Sequence, residues 1–474
     1  MVLREGDCEE GSENKILNHF LFIDVMIVHP IDYRYGTEEM KRIWSEESRI
    51  KRMIWVEMAL LRALARRGYI DEERVKEAQE RALEITPERV KEIEEEIRHD
   101  IMALVKAISE VVDEDVARWV HFGATSNDIT DTAVATQIRD SLKILELKIR
   151  ELIRLLCEKA REYRDVVCLG RTHGQPALPV TYGFRFAVWA SEMARHLIRL
   201  REIKERVLVG KMSGAVGTQA GFGEEGIEIE RCVMDLLGLK PAIISTQIIP
   251  RDVYCEYIEF LSNLATTLEK IATNFRILQR GEVGELMEEF GKKQVGSSTM
   301  PHKRNPIDCE NICGISRVIR GFVEPMHQSS ILWEERDLTN SSAERIILVE
   351  ATVLVDHALS RMIRVVKRLR LNPERIRKNL ENLKGLNLSE AVMLELTRRG
   401  MSRQEAHEVI REISMRAHSR GTGLLDELLR DERVMMFFKK EELEVLLKPE
   451  NYLGTAGERI DSVLKWIEGV TCEQ

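Results

Sequence analysis

Thirty residues, Arg251 to Arg280, contain no proline and place apolar side chains at Tyr254, Tyr257, Leu261, Leu264, Leu268, Ile271, Phe275 and Leu278. The spacings are three and four residues, the seam pattern of packed helices. As one helix the segment is about 45 Å long at 1.5 Å per residue. Ile138, Leu142, Leu145, Ile149, Leu152 and Leu156 repeat the pattern upstream. Ile258, Phe260, Ala265, Ala272 and Ile277 widen the later stripe beyond one seam, so the helix needs several neighbours. A bundle shared between copies of the chain would cover the surplus apolar surface. Only eleven prolines interrupt the 474 residues, aromatics make up 5%, and strand signals are nearly absent. The expectation is an all-α protein. Thr37 reads as the cap of a helix over Glu38-Glu39-Met40, and Thr86-Pro87-Glu88 as a cap, a first-turn proline and a first-turn acid.

A chain of this length exceeds one simple core, and its character changes near residues 125 and 373. The expected division is an N-terminal extension over 1–25, a helical domain over 26–125, a long-helix bundle over 126–373 and a helical domain over 374–474. Met26 is a second candidate start. The net charge of −9 opposes general nucleic-acid binding and requires local arginines to collect an anionic ligand. The acidic start, Glu5 to Glu10, and the broken apolar run from Ile16 to Val28 match neither a secretory signal nor a membrane span. Eight scattered cysteines without a Cys-x-x-Cys read as thiols in a reducing cytoplasm. Cys309 and Cys313 are four apart but lack histidine or cysteine company nearby, so no metal is expected.

Polar islands interrupt the helical pattern. Gly296-Ser297-Ser298-Thr299-Met300-Pro301-His302-Lys303-Arg304-Asn305-Pro306 combines a flexible glycine, paired hydroxyls, consecutive basic residues and two prolines that keep it out of a helix. Its backbone N–H groups and cations favour anions next to serine oxygens. The others are Arg98-His99-Asp100, the stretch His121 to Asp128 with Thr125, Ser126 and Asn127, the stretch Gly170 to Pro176 with Thr172 and His173, Lys211 to Thr218, and Arg336 to Arg345. Each alone has a structural reading: helix capping at Thr125–Asp128, a tight turn at Lys211–Thr218, a salt-bridged face at Arg336–Arg345. Their joint presence with the Gly296–Pro306 stretch favours a functional reading over these structural ones.

The motif GSSxMPxKxNP, present as Gly296 to Pro306, resembles the fumarase/aspartase superfamily, whose members eliminate fumarate from succinyl-type substrates. The His302–Asn305 wording is most similar to the branch that cleaves adenylosuccinate in purine biosynthesis, with argininosuccinate cleavage as the alternative and a catalytically silent structural relative as a third reading. The resemblance runs from Tyr33 onward and is weakest towards the C-terminus. It implies a three-domain all-α fold whose central bundles form the core of a cytoplasmic homotetramer, with each active site shared by three subunits. It also implies a C–N lyase without cofactor or metal, acting on a nucleotide and on neither nucleic acid nor membrane.

The same resemblance implies the residue roles. Ser297 is the base, with Ser298 a competitor that spacing does not separate from it. Lys303 and the loop N–H groups stabilise the alkoxide. His173 is the general acid, Glu310 its carboxylate partner, and His99 a second histidine that binds phosphate or supports the acid. Arg34 and Tyr35 contact the nucleotide phosphate. Arg98, Asp100, Thr125, Ser126, Thr172, Gln247, Arg336, Ser341 and Arg345 contact nucleotide or succinyl groups, and Met300 and Asn305 line the succinyl pocket. Position 127 is Asn where many relatives carry Ser or Thr, which implies altered contacts rather than lost activity.

Overall fold

A computed structural model describes residues 28–289, 299–300 and 302–472. The architecture is all-α. The elements used below are α1 (Glu46–Arg66), α2 (Asp100–Val111), α3 (Ser126–Glu162), β1 (Val167–Thr172), β2 (Gln175–Thr181), α4 (Tyr182–Val207), α5 (Asp252–Gln279), α6 (Ile307–Gly321) and α7 (Thr339–Arg368). Five of these helices, α3 to α7, form the bundle, and both apolar stripes face its core. Every stripe residue from Ile138 to Leu156 and from Tyr254 to Leu278 is buried, whereas Ile277 points outward. Polar pairs set the directions. Asp131 of α3 and Glu344 of α7 meet Arg251 at the start of α5, and Lys367 near the end of α7 meets Glu151 of α3. These three helices therefore run the same way. Lys204 of α4 pairs with Glu146, and Thr273 of α5 contacts Cys313 of α6, so α4 and α6 run back between them.

Thr37 caps Glu38–Trp44 and Thr86 caps Pro87–Ile97 with Pro87 in the first turn, as the sequence suggests. A second core joins α1 and α2 to Ile129, Ala133 and Ala135 of α3 and to Met212, Phe222, Ile229 and Val233. A third core lies within Val392–Leu443.

The scarcity of strand signals hides one element. Gly170–Pro176, expected only as a helix break, belongs to the antiparallel hairpin β1–β2, which joins α3 to α4. Pro176 and Pro179 lie in β2, and a two-stranded ribbon tolerates them because its outer N–H groups need no partner. Gly170 sits at an irregularity between Leu169 and Arg171, where a Cβ would come within 2.5 Å of the Leu178 carbonyl oxygen.

At the head of the bundle Arg251 is 2% exposed and bonds Asp131 at 2.7 and 3.0 Å and Glu344 at 2.7 and 3.1 Å. Burial alone would raise the Asp131 pKa, but the Arg251 charge holds it below the usual range; at Glu344 burial prevails and the pKa is raised. Replacing Arg251 with methionine strands two carboxylates in the core, at an expected cost of about 3–5 kcal/mol in chemical denaturation. A loss under about 1 kcal/mol would show that these acids need no counter-charge.

Candidate active site

The residues singled out from sequence fall into separate groups in one chain. The first lies at the head of the bundle. Thr125 precedes α3, and its N–H donates to Asp128 at 2.8 Å. The same carboxylate accepts from Ser213 N–H at 2.8 Å, from Gly214 N–H at 2.9 Å and from the buried Lys211 ammonium. The Lys211–Thr218 loop is thus pinned to the helix start, and Asp128 is fully occupied in structure. Ser213 bonds Ser245 at 2.8 Å, which ties this loop to the segment carrying Gln247. Ser126 opens α3, whose N-terminal amides and dipole favour an anion.

Arg336 reaches this helix start. Its Nη1 donates to Asn127 Oδ1 at 2.5 Å and to Gln247 Oε1 at 3.2 Å. Its Nε is buried without a partner among the described residues. Burial, with Arg251 as a nearby like charge, pushes the guanidinium pKa down despite Asp131. A desolvated cation without its own carboxylate suits an incoming anion. Ser341 and Arg345 share one face of the first turns of α7, four residues apart. Arg345 lies 3.7 Å from Asp100, which links α7 to α2.

His99 caps α2, with Nδ1 accepting the Met102 N–H at 3.2 Å. That bond requires Nδ1 to be unprotonated, so Nε2 is the nitrogen left to donate outward. Arg98 before it closes the preceding helix at φ 56° and is exposed. Arg336, Gln247, Thr125 and Ser126 therefore gather at the bundle head, and Arg345 joins Asp100 and His99 to them.

One residue here was named in sequence without a role. His121 lies four residues before Thr125 and adopts φ 62°. Glu57, fully buried on α1, accepts from its N–H at 3.1 Å and holds Nδ1 at 2.7 Å. Burial would lower the His121 pKa, but the Glu57 bond and charge raise it overall. The available signal was the single carboxylate in Trp55-Val56-Glu57-Met58, a charge inside an apolar helix stretch that calls for a partner.

The remaining groups lie at the other end of α5. Arg171 of β1 bonds the buried Glu285 at 2.6 Å, which also accepts from Tyr182 and Asn379 at 2.7 Å. This clamp supports the hairpin. Thr172 pairs with Gln175, and the two residues between them, His173 at φ 52° and Gly174 at φ 73°, make the tip. Positive φ at both positions is the hairpin turn that matches strand twist. His173 is exposed there.

Of the Gly296–Pro306 stretch, the described residues from His302 to Pro306 lie nearby. Gln279, the last residue of α5, donates to the Arg304 carbonyl at 3.2 Å. Lys303 N–H donates to the Met300 carbonyl at 3.0 Å, and Asn305 leads into α6. The first turn of α6 is held by Glu288, which accepts from Asp308 and Cys309 N–H at 3.4 and 3.0 Å. Glu310 is exposed in that turn, and among the described residues neither it nor His173 has a side-chain hydrogen bond or ion pair. The expected His173–Glu310 bond is therefore not formed within the chain. Gly296, Ser297, Ser298 and Pro301 lie outside the described residues.

Arg34 and Tyr35 do not join Arg345. The Tyr35 ring meets His357 edge-on at 5.2 Å, and Gly36 N–H donates to His357 Nδ1 at 3.2 Å. His357 is twelve residues beyond Arg345 on α7, about 18 Å along the axis. The separation of the major groups is larger. The 28 residues of α5 place Arg251 and the Arg336 group about 42 Å from the hairpin and the Lys303 segment. Among the described residues no cluster of three or more His, Cys, Asp or Glu side chains could hold a metal ion. Cys309 and Cys313 are buried thiols. No helix among these residues is long and apolar enough to cross a membrane.

Comparison with known proteins gives the family. A family profile described as Lyase matches residues 32–321, and one described as Adenylosuccinate lyase C-terminus matches residues 385–463. The chain is 71% identical to the adenylosuccinate lyase of Archaeoglobus fulgidus, covering 94% of this chain and all of that protein. It is 53% identical to that of Pyrococcus abyssi, covering 94% and 98%. Among solved structures it superposes on a fumarate lyase from Mesorhizobium sp. BNC1 with a TM-score of 0.85 at 33% identity, covering 93% of this chain and 100% of that one. It superposes equally, at 0.85 and 29% identity, on a 3-carboxy-cis,cis-muconate lactonizing enzyme from Pseudomonas putida, covering 94% and 99%. With this identity spread over nearly the whole of both chains, the protein belongs to the adenylosuccinate lyase family of the fumarase/aspartase-type lyases.

Proposed function

We propose that the protein cleaves adenylosuccinate to AMP and fumarate, and the related succinylaminoimidazole carboxamide ribotide to its amide and fumarate. The observation that carries this reading is the 71% identity to an adenylosuccinate lyase across that protein's full length. The uncompensated Arg336 beside the start of α3 supports it, because the substrate is polyanionic.

In the proposed reaction the Ser297 alkoxide removes a proton from the carbon beside one succinyl carboxylate. The electron pair moves into that carboxylate, and Lys303 with nearby N–H groups stabilises the charge. The C–N bond then breaks as the pair re-forms the double bond of fumarate. His173 gives its proton to the departing nitrogen, with Glu310 orienting the imidazole. Arg336, Ser341 and Arg345 anchor the anionic groups, the phosphate among them, with Thr125, Ser126, Gln247 and His99; Asp100 steadies Arg345, and Arg34 and Tyr35 share the phosphate. Arg98 and Thr172 flank the two histidines, Ser298 adjoins the base, and Met300 and Asn305 line the succinyl pocket.

The long gap along α5 supports a site shared between copies. A homotetramer with intermixed bundles would bring the bundle head of one copy to the hairpin and α6 ends of others. The cytoplasm is the proposed setting, which the seven free thiols among the described residues suit.

Incubation with adenylosuccinate should change the ultraviolet absorbance and release fumarate stoichiometrically with AMP. Inertness there with turnover of argininosuccinate would replace the proposed substrate. Silence with every succinyl compound would leave only a structural role.

A further inference from the structure

We propose that Asn127 is a positioning residue which, with Gln247, presents Arg336 to the substrate anion while keeping its charge unneutralised. This rests on the reaction proposed above and deepens it, because it concerns how that site selects an anion. Asn127 is 5% exposed and stands between two charged groups. Its Nδ2 donates to Asp131 Oδ1 at 3.0 Å, and its Oδ1 accepts from Arg336 Nη1 at 2.5 Å. A carboxylate only accepts and a guanidinium only donates, so the amide can face them in one orientation alone.

The side chain acts as a neutral spacer. Asp131 is already held bidentately by Arg251 and by Ile249 N–H at 3.0 Å, and Glu344 is held by Arg251 and by Asn340 at 2.9 Å. Both nearby acids are therefore committed away from Arg336. The hydrogen-bond acceptors of Arg336 among the described residues are amide oxygens, Asn127 Oδ1 and Gln247 Oε1. They fix the direction of the guanidinium without cancelling its charge. Its Nε, buried and without a partner among the described residues, then leaves part of the donor set for a ligand. If Asn127 were removed, Arg336 could turn onto Asp131 and form an internal ion pair. A serine or threonine hydroxyl carries one oxygen next to Cβ and is too short to span Asp131 and Arg336 together. This gives the asparagine at position 127 a physical role.

The test uses the full-length protein and AMP as the probe. AMP affinity is measured by calorimetry and adenylosuccinate kinetics in parallel, for Asn127→Asp and Asn127→Leu. The aspartate keeps the shape but supplies the carboxylate that the site avoids. The expected result is AMP binding weakened about 10- to 100-fold in Asn127→Asp, the range of a charged hydrogen bond. KM should rise in step while kcat falls less than about threefold, a split that general structural damage would not give. Asn127→Leu should weaken AMP by about tenfold. Folded variants that bind AMP within about threefold of the parent would overturn the proposal, as would a parent protein that does not bind AMP.

If neither variant folds, Gln247→Glu places the carboxylate at the second acceptor. A loss of AMP affinity of about tenfold supports the neutral cradle, and unchanged affinity overturns it. The two readings fail separately. AMP binding that depends on Asn127 without parental turnover would sink the reaction and keep the cradle. Parental turnover with AMP binding indifferent to position 127 would do the reverse.

Discussion

Replacing Ser297 with alanine is expected to lower adenylosuccinate turnover by about 10⁴-fold, the upper range for a positioned proton-transfer group, with AMP affinity changed less than about threefold. The reason is chemical. AMP lacks the succinyl carbon that loses a proton, so a group acting only on that carbon contributes little to its binding. The Arg336 cluster, with its Asn127 and Gln247 bonds, stays intact in the variant. Ser298→Ala is the control, because its hydroxyl adjoins the same motif. Rapid-quench turnover and calorimetric AMP binding of both variants separate the roles. Near-parental turnover in Ser297→Ala with a large loss in Ser298→Ala would exchange the two serines. A large loss of AMP binding in Ser297→Ala would make the residue an anchor and not a base.

The second large effect concerns sites divided between copies. His173→Ala should lose about 10²- to 10⁴-fold in turnover, the contribution of a general acid. Arg336→Ala should lose at least about tenfold in kcat/KM by forfeiting a charged contact. His173 stands on the hairpin clamped by Glu285, beyond the far end of α5, and Arg336 lies near Arg251 at its start. If one site takes His173 from one copy and Arg336 from another, mixed assemblies contain some sites with neither substitution. After complete subunit exchange at equal amounts, about a quarter of such sites are intact by random pairing in a symmetric oligomer. Activity should therefore rise towards about a quarter of the parent's. No recovery after exchange has been verified by mass would place both residues of each site in a single chain.

These expectations show which properties were legible in the chain. The stripes from Ile138 to Leu156 and Tyr254 to Leu278 announced the bundle, since a long helix with a wide apolar face has few other ways to bury it. Thr37 and Thr86 were readable because capping is local chemistry. The hairpin was not. Its strands are short, β2 holds two prolines, and its support comes from Glu285, more than a hundred residues away from Tyr182 and Arg171. Periodicity carries no trace of such a clamp.

The polar islands were visible as islands, but their grouping was not. Arg336 meets Asn127 across 209 positions and Gln247 across 89. The reading of Thr125–Asp128 as simple capping holds for Asp128, whose acceptors are spent on Thr125, Lys211, Ser213 and Gly214. Asn127, one position earlier, faces the other way and touches Arg336. Adjacent residues on a helix start thus take different partners, a distinction that depends on rotation about the axis. His121 shows the same limit, because its raised pKa depends on a buried glutamate from another helix.

The central claim is that separated halves of this chain meet only between copies. It is tested most directly by a crystal structure of the assembled protein with AMP and fumarate bound. The account predicts Arg336 and Asn127 of one copy beside the ligands, with His173 and the Ser297 segment supplied by other copies within hydrogen-bond reach of the reacting atoms. A ligand pair enclosed by one chain alone, or His173 far from every bound AMP and fumarate, would contradict it.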